Sequence, residues 1–139
     1  MKSIHTVQVM WSDCDPAEIV FFANYFRWMD EAAHVHLSKL GLGWHDLQHT
    51  YGTLGLPLVS AHADFKSPSR FTDVLTIETE VTECSTRTLT ISHIFRIGDR
   101  IAAEGWTKRI WCKADPSKPS GMVAEPIPQD VKAILGFED

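Results

Sequence analysis

Between Asn24 and Leu40 the chain carries one helical stripe: Phe26, Met29, Ala33, Leu37 and Leu40 recur at steps of three and four. After Gly55 the character changes. "PLVSAHADFKS", "DVLTIETEVTEC", "RTLTISHIFRIG" and "RIAAEGWTKRIWCKA" are rich in Val, Ile, Thr and aromatics, and they largely alternate. One amphipathic helix has one apolar stripe to bury, and a strongly twisted antiparallel sheet can wrap around it. The expected fold class is therefore α+β, an antiparallel sheet of about five strands wrapped around one long central helix. An edge strand left open in such a sheet is an aggregation hazard, and pairing between subunits removes it, so a dimer is expected.

The remaining segments fit around that plan. "IHTVQVMW", residues 4 to 11, alternates and predicts a first strand. Gly41 and Gly43 supply a stop after the helix, and "WHDLQHTYG" predicts a second, short one. The breaks "SPSRFT", "STR" and "GDR" suit a meander of adjacent antiparallel strands. "DPSKPSGM" reads as a surface loop or bulge, and "IPQDVKAILGF" as a short terminal helix opened by Pro128. With 139 residues and no repeat or linker, residues 1–139 are expected to form a single domain.

Composition narrows the function classes. A formal charge of −5 with no basic cluster argues against a nucleic-acid footprint. No apolar run approaches the ~20 residues of a membrane span, and "MKSIHTVQVM" lacks the apolar core of a secretion signal. Three scattered cysteines suit a reducing setting, so a cytoplasmic protein is expected.

The segment "SDCDPAEIVFFANYFRWMDEAA", residues 12 to 33, places carboxylates at the mouth of an apolar and aromatic run. Asp15 has two readings. As an N-cap, with Pro16 at the first helical position and Glu18 reaching back in a capping box, it is worth about 1 kcal/mol. As a catalytic base or nucleophile it needs a dry acyl pocket, whose walls "IVFFANYF", with Phe21 and Tyr25, can supply. A helix beginning near Phe22 to Asn24 adds unpaired backbone N–H groups able to hold a developing oxyanion.

The same segment resembles the signature of the 4-hydroxybenzoyl-CoA thioesterase family of hot-dog-fold enzymes. "GLPLVSAHADF" and "DVLTIET" extend the likeness, which runs over about residues 4 to 112. The resemblance implies a hot-dog domain hydrolysing an acyl-CoA thioester, with an aromatic acyl group such as 4-hydroxybenzoyl or benzoyl favoured. It implies that Asp15 attacks the thioester carbonyl or activates water against it. The backbone N–H of Phe22 would polarise that carbonyl. It further implies sites between subunits of a homodimer or homotetramer. Asp30 matches the position that can approach a ring hydroxyl, and "CSTRTL", with Arg87 and Thr88, matches the stretch that holds the nucleotide phosphates.

Glu18 stands where family members usually carry Gly, which tolerates positive φ. Phe22 stands where relatives carry tyrosine or histidine, which leaves only its backbone N–H for catalysis. Asp30 falls on the apolar stripe of the helix, so its structural alternative is a bond to a neighbouring backbone group or an outward pair with Arg27. Lys66, Arg70, Arg96, Lys108 and Arg109 are further basic candidates for a phosphate. Cys14, flanked by Asp13 and Asp15, is the opposite of an activated thiol. The seven histidines form no metal-ligand spacing, and there is no P-loop or dinucleotide fingerprint, so neither metal nor cofactor is expected. Three alternatives remain: an aliphatic acyl-CoA thioesterase, a hydratase lacking its usual histidine, and a non-catalytic acyl-CoA binder.

Overall fold

The computed structural model describes residues 1–137. Its elements in chain order are β1 (Ser3–Gln8), α1 (Ala23–Lys39), α2 (Trp44–Tyr51), β2 (Leu58–Phe65), β3 (Val74–Cys84), β4 (Thr88–Ile97), β5 (Arg100–Ile110), β6 (Cys112–Ala114), β7 (Met122–Ala124) and α3 (Gln129–Ile134). The five long strands form one antiparallel sheet in the order β1-β3-β4-β5-β2. α1 packs on its inner face. This is the α+β architecture expected from the helix and strand periods.

Three local expectations are revised. β2 does not neighbour β3: it crosses over and pairs with β5, Phe65 opposite Ala103, so only β3, β4 and β5 form the meander. The stretch after Arg100 breaks at Trp111, and Cys112–Ala114 pairs with Met122–Ala124 as a separate two-stranded ribbon around the "DPSKPSG" turn. β1 ends at Gln8, and Trp11–Asp13 turn tightly as a 3-10 segment instead of extending the strand.

The core explains why the helix sits where it does. Met29 is fully buried, with Trp28, Ala32, Leu75, Ile77, Phe95 and Ala103 packed around it. Each large side chain of this kind contributes about 1.5–3 kcal/mol by leaving water. A Cβ built on Gly105 would lie 2.6 Å from the His62 carbonyl oxygen and 2.8 Å from Met29 Sδ. Only glycine lets α1 come this close to the sheet.

A polar row interrupts this core. Ser3, Thr79 and His93 lie opposite one another across β1, β3 and β4. Ser3 Oγ lies 2.6 Å from His36 Nδ1, and Thr79 Oγ1 lies 2.9 Å from His93 Nδ1. His93 Nε2 is buried with no partner among the described residues.

At the opposite edge β2 is almost wholly exposed, Leu58 by 55%, Val59 by 54% and Phe65 by 51%, which marks it as an unpaired edge. No helix among the described residues is long and apolar enough to cross a membrane.

Candidate active site

The loop between β1 and α1 is built around Asp13. Its Oδ2 accepts the Met10 N–H at 2.8 Å, and its Oδ1 accepts Arg27 Nη2 at 2.9 Å. Its carbonyl oxygen accepts the Phe21 N–H at 2.9 Å and Asn24 Nδ2 at 2.8 Å. One residue thus pins the loop to the first turn of the helix that follows. Asp13 is the organising residue the sequence reading passed over.

Asp15 sits in the tight turn this loop presents. Its N–H donates to Ile19 O at 2.9 Å, and its own carbonyl accepts the Glu18 N–H at 2.8 Å. Cys14 and Val20 close the turn as an isolated bridge. Asp15 Oδ1 accepts the Ala17 N–H at 2.9 Å, while Oδ2 has no hydrogen bond among the described residues. The carboxylate is therefore oriented through one oxygen and open at the other.

The capping-box reading of Asp15, Pro16 and Glu18 does not hold. The helix starts at Ala23, with Phe22 as its N-cap, and the "DPAE" residues form a non-helical turn. Glu18 has φ of 63°, the left-handed region that a glycine would occupy without strain. The N–H of Phe22, at the helix entrance, donates to none of the described residues. Such groups carry the positive end of the helix dipole.

Asp15 and Phe22 line the same cavity, of about 500 Å³. Ile19, Val20, Tyr25, Phe65 and Pro68 give it apolar walls, and Lys66, Ser67 and Ser69 complete it. Tyr25 OH donates to Ser69 Oγ at 2.8 Å, and Ser69 O accepts the Val20 N–H at 2.8 Å, so fully buried Ser69 ties the two walls together. Burial pushes the Tyr25 phenol up, which keeps it neutral.

The other sequence candidates lie elsewhere. Phe21 stacks edge-on to Phe22, ring centroids 5.0 Å apart, but does not line the cavity. Asp30 is half-exposed on α1 and pairs with Arg109 Nη2 at 2.8 Å, with His34 Nε2 at 3.5 Å. Arg27, the partner considered for it, belongs to Asp13. Arg87 and Thr88 belong to the β3–β4 turn, where Thr88 pairs with Ile110 at the far end of β5 from Ala103. In the sequence the wall at residues 65–69 reads as a strand end and the break "SPSRFT", with Phe65 in a motif and Lys66 among scattered cations, and none of these marks it as part of a site. The crossover of β2 to the β5 edge is what brings it to Asp15. No cluster of three or more His, Cys, Asp or Glu side chains among the described residues could hold a metal.

Comparison with known proteins identifies the family and the fold. The profile of the thioesterase-like superfamily matches residues 9–135. A 4-hydroxybenzoyl-CoA thioesterase from Pseudomonas sp. (strain CBS-3) is 43% identical over 77 residues. That match spans 55% of this chain and about half, 55%, of the relative. The structure of a gentisyl-coenzyme A thioesterase is 33% identical with a TM-score of 0.80, covering 96% of this chain and 99% of that one. A variant 4-hydroxybenzoyl-CoA thioesterase complexed with 4-hydroxybenzoyl-CoA superposes with a TM-score of 0.86 at 27% identity, over 96% of this chain and 98% of the other. The chain belongs to the thioesterase-like superfamily, a family of thioester hydrolases built on the hot-dog fold that it shares.

Proposed function

We propose that this protein hydrolyses an acyl-CoA thioester to the free acid and coenzyme A, with an aromatic acyl group favoured and no cofactor. The observation that carries the reading is the shared cavity: Asp15, whose carboxylate has one open oxygen, and Phe22, whose N–H at the helix entrance donates to none of the described residues, line the same apolar space. The carbonyl oxygen of the thioester takes the Phe22 N–H, which stabilises the charge that develops as the carbon becomes tetrahedral. Asp15 then acts in one of two ways. As a general base it takes a proton from water while the water oxygen bonds to the carbonyl carbon. As a nucleophile its own oxygen forms that bond, giving an anhydride that water cleaves. In both, the C–S bond breaks, the electron pair leaves on sulfur, and the thiolate is protonated to coenzyme A.

The aromatic preference draws on three features. The cavity is walled by Phe22, Tyr25 and Phe65, and the relatives above carry 4-hydroxybenzoyl and gentisyl in their names. Aromatic rings pack well against one another in edge-to-face arrangements. The open edge of β2 suits pairing with a second copy, so the active form is read as a homodimer or a dimer of dimers.

The test is free thiol released from a panel of aryl- and alkyl-CoA esters. Aryl esters are expected to show the higher kcat/KM. A panel on which no ester yields thiol above the uncatalysed rate would leave a binding protein instead.

A further inference from the structure

The cavity of Asp15 contains one cation. Lys66 directly follows the last residue of β2, and its N–H donates to Ala102 O at 2.8 Å, which fixes where its side chain begins. The next residues are pinned as well: Ser67 Oγ donates to Ile101 O at 2.8 Å, and Arg100 Nη1 reaches Ser67 Oγ at 2.7 Å and Pro68 O at 2.8 Å. Lys66 Nζ makes no ion pair or hydrogen bond among the described residues. Asp64, whose carboxyl feels the Lys66 charge, is already bonded to His62 at 3.0 Å. The serine hydroxyls of the walls already have partners. Ser67 Oγ is held by Ile101 O, and Ser69 Oγ by the Tyr25 hydroxyl.

We propose that Lys66 is a specificity residue whose ammonium receives an oxygen substituent on the acyl group: a carboxylate, a phenolate or a hydroxyl oxygen. The proposal rests on the reading of Asp15 as the hydrolytic carboxylate. Size chooses the acyl side over the carrier side. A long chain of single bonds separates the phosphates of coenzyme A from its thioester carbon, whereas the substituents of an aromatic acid sit one ring away. A cavity of about 500 Å³ that holds both Asp15 and Lys66 matches the shorter span. An ammonium in such a setting forms charge-assisted bonds, about twice as strong as neutral ones. The polarity of the contact is distinctive. Asp30 would demand a hydrogen-bond donor on the ring, and Lys66 demands an acceptor.

The test compares benzoyl, 4-hydroxybenzoyl and 4-carboxybenzoyl thioesters, each on coenzyme A and on pantetheine, in the wild type, Lys66→Met and Lys66→Arg. Lys66→Met is expected to lose about tenfold to a hundredfold in kcat/KM on the 4-carboxybenzoyl ester and less on the 4-hydroxybenzoyl ester. Its change on the benzoyl ester should stay within about twofold, with both carriers alike, and Lys66→Arg should retain most of the preference. Equal loss on the benzoyl ester overturns the assignment, as does a loss seen with coenzyme A esters and absent with pantetheine esters. Dissociation constants for the same esters in the Asp15→Asn background separate the two readings. If no ester is turned over by the wild type and yet Lys66 still sets the binding preference, hydrolysis falls and the Lys66 contact stands.

Discussion

Arg27 of α1 holds Asp13 of the preceding loop, its Nη2 2.9 Å from Asp13 Oδ1. The pair joins an exposed arginine to a mostly buried carboxylate, 54% and 12% exposed in their side chains. Because Asp13 also takes the Met10 N–H, it fixes the turn that aims Asp15. Asp13→Asn is expected to lower stability by about 1–3 kcal/mol. It should also lower kcat by about tenfold to a hundredfold through misplacement of Asp15. Denaturant unfolding and steady-state kinetics check both. Unchanged kcat with lowered stability would confine Asp13 to folding.

Glu18 gives a prediction of the opposite sign. Its φ of 63° places a Cβ where the backbone crowds it, costing roughly 1–2 kcal/mol. Glu18→Gly removes that strain but adds the entropy of an unfolded glycine, ~0.5–1 kcal/mol. The expected net effect is a gain of up to about 1.5 kcal/mol, read as a higher Tm in a thermal melt. A lower Tm would mean that the left-handed turn is not where strain resides.

His93 predicts an acid-sensitive core. Burial first, then the positive charges of Arg109 and His36, lowers its pKa from 6.5 to about 3. The folded protein keeps the ring neutral, whereas the unfolded chain takes up a proton as pH falls below about 6.5. Stability is therefore full above that value and declines as pH drops toward 3, by about 1.4 kcal/mol per pH unit for this group. His36, lowered mainly by burial, adds to the slope in the same direction. Urea unfolding between about pH 6.5 and pH 5 should show the decline, and His93→Gln should flatten it in part. A pH-independent midpoint across that window would contradict the burial argument.

The long-period features of this fold were legible in the sequence. The stripe of Phe26, Met29, Ala33 and Leu37 predicts α1 within a residue or so of Ala23–Lys39, and the alternating runs predict β3 and β4. What escaped was set by contacts distant along the chain. β2 leaves its sequence neighbour for β5, and hairpin reasoning has no means of seeing that choice. "DPAE" satisfies every local rule for a helix start, yet the Cys14–Val20 bridge and the bonds of Asp13 hold it in a turn. Asp15 and Phe22, the two residues the resemblance names together, line one cavity. Lys66 and Ser69 join them only through the crossover of β2 to the β5 edge.

The central claim is that Asp15 does the chemistry, and Asp15→Asn tests it most directly. The substitution keeps the side chain's size and its Ala17 contact while removing the charge that accepts a proton or attacks carbon. Measured on the best ester of the panel, kcat should fall by about a thousandfold or more. The dissociation constant for the same ester should stay within a few fold of the wild-type value. Turnover within about tenfold of the wild type would contradict the account.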